Sequence, residues 1–431
     1  MEILEIGQIQ CTMLAQACGT PLMVYDETII EQQLDACINN FKSDRFETEV
    51  VYASKAFACK AMFEKIKAAG ASLDVVSGGE LYLANQAQMP MDKVYFHGNN
   101  KTMEELRLAF DLGCGTIVLD NLMECQRVID LSKQRKQQMN VMVRINPGIE
   151  AHTHAYIMTA HSDSKFGISI GKKEDVTKLI ESVMDSKYVN FKGFHMHIGS
   201  QIFGMTAFEK AAALLIEFTK KMENICNFET QYLSLGGGFG IKYNACDKPM
   251  PLAETCKKLS QICEKELNDA GVYPKKVIIE PGRSIVGEAG YTLYTVGFQK
   301  QTENKYYVFV DGGMSDNIRP ALYQAKYDCD IANKLGLPKT ETVCVAGKNC
   351  ESGDILIEET QLQPAEEGDL LVMYSTGAYG YSMANNYNKV GRPAVVFVKD
   401  KKARLVIRRE SPEDLMKLEI NTDIVLKNQQ A

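Results

Sequence analysis

From residue 49 the chain alternates between short apolar runs and amphipathic stretches. The runs 50–54, 72–77, 93–97, 116–120, 140–146, 191–198, 232–235 and 277–280 are rich in Val, Ile, Leu or Phe without clean in–out alternation. That pattern predicts strands buried on both faces, as in a parallel sheet. Between them, 57–69, 78–88, 102–112, 122–138, 171–186, 206–227 and 252–270 carry apolar residues at helical spacing. Gly70, Gly113 and Gly271 stand just past three of these stretches, where a helix commonly ends in a left-handed residue. Eight strand–helix units over about 250 residues predict a (β/α)8 TIM barrel. An open doubly wound sheet competes, and the lack of a GxGxxG after the first strand argues weakly against it.

After about residue 286 the pattern changes. Short β-rich runs at 291–298, 306–310, 342–345, 370–374, 394–398 and 404–409 are separated by turn signals such as Asp311-Gly312-Gly313 and Ser352-Gly353-Asp354. They predict an antiparallel β domain, with one short helix at 410–418. The N-terminal lead-in has a helical stretch at 9–17, a stop at Gly19 and Pro21, and a strand-like run at 22–25. The expected division is a barrel of 25–285 and a C-terminal β domain of 286–431 joined by 1–24.

Composition narrows the function classes. The net charge of −7 and the lack of a basic stripe argue against a nucleic-acid partner. No apolar run reaches membrane-spanning length, and the start, Met1-Glu2-Ile3-Leu4-Glu5, is acidic rather than a signal peptide. The 13 cysteines form no CxxC, so reduced thiols and a cytoplasmic location are expected, with no membrane partner.

The polar residues collect at the strand tips, where a TIM barrel places its chemistry. Lys55 ends the first strand, Asp74 and Ser77-Gly-Gly-Glu80 the second, His97-Gly-Asn99 the third. Arg144 lies at the fifth tip, His195-Met-His197-Ile-Gly-Ser200-Gln201 at the sixth, Gly236-Gly237-Gly238-Phe239-Gly240 at the seventh and Glu280-Pro-Gly282-Arg283 at the eighth. Glycines at the last two tips let backbone N–H groups approach an anion, which matches the usual barrel phosphate site. A lysine amine, a phosphate cradle and a buried carboxylate for a protonated ring nitrogen together describe a pyridoxal-phosphate site. His152, His154 and His161 invite a metal reading, but no further ligands follow at suitable spacing, and no metal is expected.

These residues also carry a resemblance. Tyr52-Ala-Ser-Lys55-Ala56, Ser77-Gly-Gly-Glu-Leu81, His197-Ile-Gly-Ser-Gln201, the glycine run and Glu280-Pro-Gly-Arg283 resemble the alanine-racemase-fold (fold-type III) pyridoxal-phosphate decarboxylases. Asp311-Gly-Gly-Met-Ser-Asp-Asn-Ile-Arg319-Pro-Ala-Leu-Tyr323, Cys350-Glu351-Ser-Gly-Asp354 and Gly377-Ala-Tyr379-Gly-Tyr-Ser-Met383 narrow it to the diaminopimelate decarboxylases. Ser315 stands where that family usually has Asn, and Ala160-His161 where a glycine is expected.

The resemblance implies roles. Lys55 holds the cofactor covalently, Glu280 keeps its ring nitrogen protonated, and His197 lies against the ring. Asp74 belongs to the same cofactor site. Ser200, Gly237, Gly238, Gly282, Arg283 and Tyr379 hold the phosphate. Arg283, Arg319, Tyr323 and Tyr379 take the substrate's distal carboxylate, and Glu351 its distal ammonium. Cys350 returns a proton to the α-carbon, and Cys350 and Glu351 come from a second subunit, which implies a homodimer with shared active sites. The expected reaction is decarboxylation of meso-2,6-diaminopimelate to L-lysine, the last step of lysine biosynthesis. Rivals are a decarboxylase for ornithine or arginine, which has no distal carboxylate to bind; a racemase on the same barrel; and a catalytically dead binding protein.

Overall fold

The computed structural model describes residues 2–148, 164–422 and 424. Eight parallel strands close a barrel: Glu47–Ala53, Ser72–Val75, Val94–Phe96, Thr116–Leu119, Met139–Asn146, Val189–His195, Tyr232–Ser234 and Lys276–Ile279. Closure is made by Val50 pairing with Ile279. Each strand is largely buried because the barrel packs on both faces. Val51, Tyr95, Val118, Met142 and Ile278 fill the interior. At the N-terminal end of the barrel, Glu49 pairs with Lys276 at 2.6 Å and accepts from Tyr95 at 2.8 Å. The polar groups at the opposite end are left to form the site.

The first helix begins later than the apolar spacing predicts. It spans Lys60–Ala68, after a one-turn 3-10 segment at Ser54–Ala56. Phe57 is extended and fully buried, stacked on Tyr25 at 4.3 Å between ring centroids. Its carbonyl accepts from the Tyr52 hydroxyl at 2.8 Å. Burial of this ring overrides helix propensity, and the Cys59 thiol then caps the helix from Met62 N–H.

The second domain is a mixed sheet. Its strand order is Ile355–Leu362, Glu341–Ala346, Tyr306–Val310, Gly290–Gln301, Leu22–Asp26, Ala394–Lys399 and Lys402–Ile407. Leu370–Met373 pairs with both Gly290–Gln301 and Cys329–Ile331. Most pairings are antiparallel, as the sequence suggests. Two are parallel, Tyr306–Val310 with Glu341–Ala346 and Leu22–Asp26 with Ala394–Lys399; the first pair is joined by a crossover that carries the helix Arg319–Tyr323, and the second arises because the lead-in strand is inserted between strands from the far end of the chain. That strand runs to Asp26, past residue 25, and Asp26 then caps the helix Glu27–Asn40. A short helix at Pro412–Met416 follows the last strand.

The two domains meet beside Lys55. Tyr379 N–H and the Ser382 hydroxyl both donate to the Ala56 carbonyl, at 2.8 and 2.7 Å. Tyr25, on the lead-in strand, donates to the Gly377 carbonyl at 2.7 Å. The β domain therefore closes the mouth of the barrel.

Candidate active site

A cavity of about 430 Å³ lies between the strand tips and the β domain. Lys55 projects into it from the 3-10 turn after the first strand and is exposed there. The neighbouring Ser54 hydroxyl and Val76 N–H each donate to Glu80 at 2.7 Å. These bonds fix the turn that aims Lys55.

The floor of the cavity is a buried acid–imidazole cluster. Ser234 donates to Glu280 Oε1 at 2.7 Å, and His195 Nε2 lies 3.0 Å from Glu280 Oε2. His97 Nε2 stands 3.6 Å from Glu280 Oε1 and 3.9 Å from Asp74 Oδ1. Burial pushes the Glu280 carboxyl up, but His195, His97 and the Ser234 hydroxyl outweigh it and hold Glu280 well below the usual carboxylate range. Burial drives both imidazoles down, and because an ionised carboxylate only accepts, the His195 nitrogen facing it carries a proton. Asp74 moves the other way, raised by burial and by the charge on Glu280. The two carboxyls are thus pushed in opposite directions, as neighbouring acids are when their environments differ.

Above the floor lies the anion cradle. A Cβ at Gly237 would collide with the Glu280 carbonyl, and one at Gly238, where φ is +102°, with the Gly199 carbonyl. Gly237 N–H donates to His197 Nδ1 at 3.3 Å, and burial pushes the His197 imidazole well down. The Arg283 guanidinium is buried, donates to the Ser200 hydroxyl at 2.8 Å and also to the Tyr243 hydroxyl. Its Nε is buried and has no acceptor among the described residues.

A second guanidinium closes the far side. Arg319 opens the short helix Arg319–Tyr323, is buried, and donates to the Tyr327 hydroxyl. It lies 4.7 Å from the Tyr243 ring centroid, and Arg283 lies 5.5 Å from the same ring. Tyr243 therefore packs against both cations.

Of the residues singled out in the sequence, Lys55, Asp74, His197, Ser200, Gly238, Glu280, Gly282, Arg283, Arg319, Tyr323 and Tyr379 line the cavity. Gly237 stands behind the lining. Cys350 is exposed, Glu351 is exposed, and neither lines this cavity. His152, His154 and His161 lie outside the described residues. Sequence reasoning placed His97, Arg144 and His195 at strand tips but gave them no role, and it left out Ser234, Tyr243 and Tyr327, which hold the charged groups in place. Arg144 lines the cavity and lies 4.6 Å from the Phe166 ring. His97, His195 and Glu280 bring donor atoms within 4.8 Å of one another, a cluster that the strand-tip histidines signalled and the reading did not use.

The residues fit pyridoxal phosphate. An amine projects into the cavity, an ionised carboxylate lies on its floor, and a cradle too tight for any Cβ lies beside the Arg283 guanidinium, whose Nε has no acceptor among the described residues.

Residues 28–287 match the pyridoxal-dependent decarboxylase family, pyridoxal binding domain. The chain is 47% identical over 418 residues to diaminopimelate decarboxylase of Bacillus subtilis, covering 97% of this chain and 95% of that one. It is 40% identical to that of Mycobacterium tuberculosis, covering 96% and 94%. Among solved structures, diaminopimelate decarboxylase from M. jannaschii superposes with a TM-score of 0.90 at 33% identity over 97% of this chain and 96% of that one. The Helicobacter pylori enzyme complexed with L-lysine superposes at 0.85 and 28% identity, covering 94% and 98%. With a pyridoxal-binding barrel, a matching cradle and likeness over nearly its whole length, the chain belongs to the diaminopimelate decarboxylases.

Proposed function

We propose that the chain removes CO2 from the D-centre of meso-2,6-diaminopimelate and yields L-lysine, using pyridoxal phosphate. The observation that carries the substrate is the pair of buried guanidinium groups, Arg283 and Arg319, that both pack against the Tyr243 ring. One suits the cofactor phosphate and the other a distal carboxylate. Two anions need two cations in a site this buried. Ornithine or arginine would leave Arg319 facing no carboxylate.

When bound, pyridoxal phosphate supplies the electron sink for the pair left on the α-carbon as CO2 departs. Lys55 would hold it, Gly237, Gly238, Ser200, Gly282, Arg283 and Tyr379 would take its phosphate, and His197 would lie against its ring. Glu280 would keep the proton on its pyridine nitrogen; His195 and Ser234 hold that carboxylate ionised. The Asp74 carboxyl, pushed up by burial and by the Glu280 charge, is biased against a second negative charge beside it. Arg319 and Tyr323 orient the substrate by its distal carboxylate, which aligns the other centre for reaction.

Cys350 and Glu351 complete the chemistry from a second copy of the chain. Both are exposed and stand outside the chain's own cavity. Glu351 would take the distal ammonium, and the Cys350 thiol would return a proton to the α-carbon. A homodimer with shared sites follows. All 13 cysteines are free, which supports a reducing, cytoplasmic setting. No described helix is long and apolar enough to cross a membrane.

The test is Arg319→Met. Loss of a charge-assisted pair to the substrate is expected to raise KM for meso-diaminopimelate by roughly 10- to 100-fold, while the cofactor's visible absorbance stays. An unchanged KM would remove Arg319 from substrate recognition.

A further inference from the structure

Asp354 lies just past the Cys350-Glu351 turn, and its side chain is buried away from the cavity. Its two oxygens accept three N–H bonds. Oδ2 takes Asn349 N–H and Asn349 Nδ2–H, both at 2.8 Å. Oδ1 takes Met314 N–H at 2.6 Å. Its own N–H donates to the Glu351 carbonyl at 3.0 Å, and its carbonyl accepts from Gly347 N–H at 2.9 Å. The turn that carries Cys350 and Glu351 is therefore wrapped around this one residue.

Met314 belongs to the other side of the arrangement. It begins the segment that ends at Arg319 in the chain's own cavity. The two segments are tied again by Lys348 N–H to the Gly312 carbonyl at 2.9 Å and by Asn349 Nδ2 to Ser315 Oγ at 3.3 Å. Space for the carboxylate is cut from both. A Cβ at Gly347, or at Gly313, would run into the Asp354 carboxylate. Two glycines on different segments clear room for the same side chain.

We infer that Asp354 is a positioning residue for the reaction. It sets the turn bearing Cys350 and Glu351, which a neighbouring cavity uses, against the segment bearing Arg319, which the chain's own cavity uses. This rests on reading Cys350 as the proton donor. A carboxylate suits the task because both its oxygens are acceptors. An asparagine in its place turns an NH2 group toward either Met314 N–H or Asn349 N–H, and one buried donor loses its acceptor.

Asp354→Asn is the experiment, combined with Cys350→Ala. The variant should keep the cofactor's visible absorbance, since Asp354 touches none of the groups assigned to hold the cofactor. Its kcat should fall by roughly 100-fold, the cost of a displacement of about 1 Å at a reacting group. In the Cys350→Ala background the same substitution should lower kcat no further, because it acts through the thiol that is already gone. A loss that multiplies with that of Cys350→Ala would overturn the inference, as would a wild-type kcat for Asp354→Asn beside an impaired Cys350→Ala. A wild-type kcat for Cys350→Ala would instead overturn the proton-donor reading beneath it. If Asp354→Asn yields no folded protein, Gly347→Ala displaces the carboxylate without altering its charge, and the same pair of outcomes decides.

Discussion

At the scale of single residues, two groups of opposite character carry the cofactor chemistry. Lys55 is exposed in the cavity, and Lys55→Ala is expected to abolish the visible absorbance of the bound cofactor; a band that persists would show that another amine holds it. Glu280 is buried and ionised, and Glu280→Gln keeps the shape while removing the charge. The expected result is cofactor retained and turnover down by roughly 100-fold or more, as for other preorganised electrostatic groups. Both residues are legible in the sequence because a charged group at the tip of a buried strand demands a partner or a task. Their supports are not. Ser234 sits inside an apolar strand, and His195 reaches Glu280 across 85 positions of sequence. Barrel register brings them together, and no local pattern encodes that.

At the scale of elements, the βα rhythm survives translation into structure because its cause is burial on both faces. The failures are informative. Phe57 reads as the start of a helix and becomes a core ring, since its stacking on Tyr25 depends on a strand from the lead-in segment. The sheet of the second domain reads as antiparallel from its turns, yet two pairings are parallel, one through a crossover within the domain and one because the lead-in strand arrives from the other end of the chain. The glycine turn after Tyr232–Ser234 is legible as an anion cradle and can be tested as one. Gly238 has φ of +102° and no room for a Cβ. Gly238→Ala therefore carries strain of about 1–3 kcal/mol and should weaken pyridoxal phosphate binding by roughly tenfold or more, measured by titrating the apoprotein. Unaltered affinity would move the phosphate elsewhere.

At the scale of the whole molecule, two properties follow. Asp316 is buried beside Asp311 and Asp354, and burial first, then those charges, raises its carboxyl from 3.8 to about 7. A carboxyl raised in the folded state binds its proton more tightly there than in the unfolded chain. Its contribution to stability is present at low pH and declines as pH rises from about 4 to about 7. Asp316→Asn should flatten that part of a Tm–pH profile; an unaltered slope would show that Asp316 ionises normally. The second property is assembly. If Cys350 and Glu351 serve a neighbouring cavity, mixing Lys55→Ala with Cys350→Ala protomers should restore roughly a quarter of wild-type activity, since half the dimers then contain one intact site. No restoration would place both residues in one subunit's site. The central claim is the substrate, and it is tested most directly by measuring CO2 release from meso-diaminopimelate, L-ornithine and L-arginine side by side with pyridoxal phosphate. Release from meso-diaminopimelate alone, with L-lysine appearing in step, is the predicted result; release from ornithine or arginine instead would contradict the role given to Arg319 and Glu351.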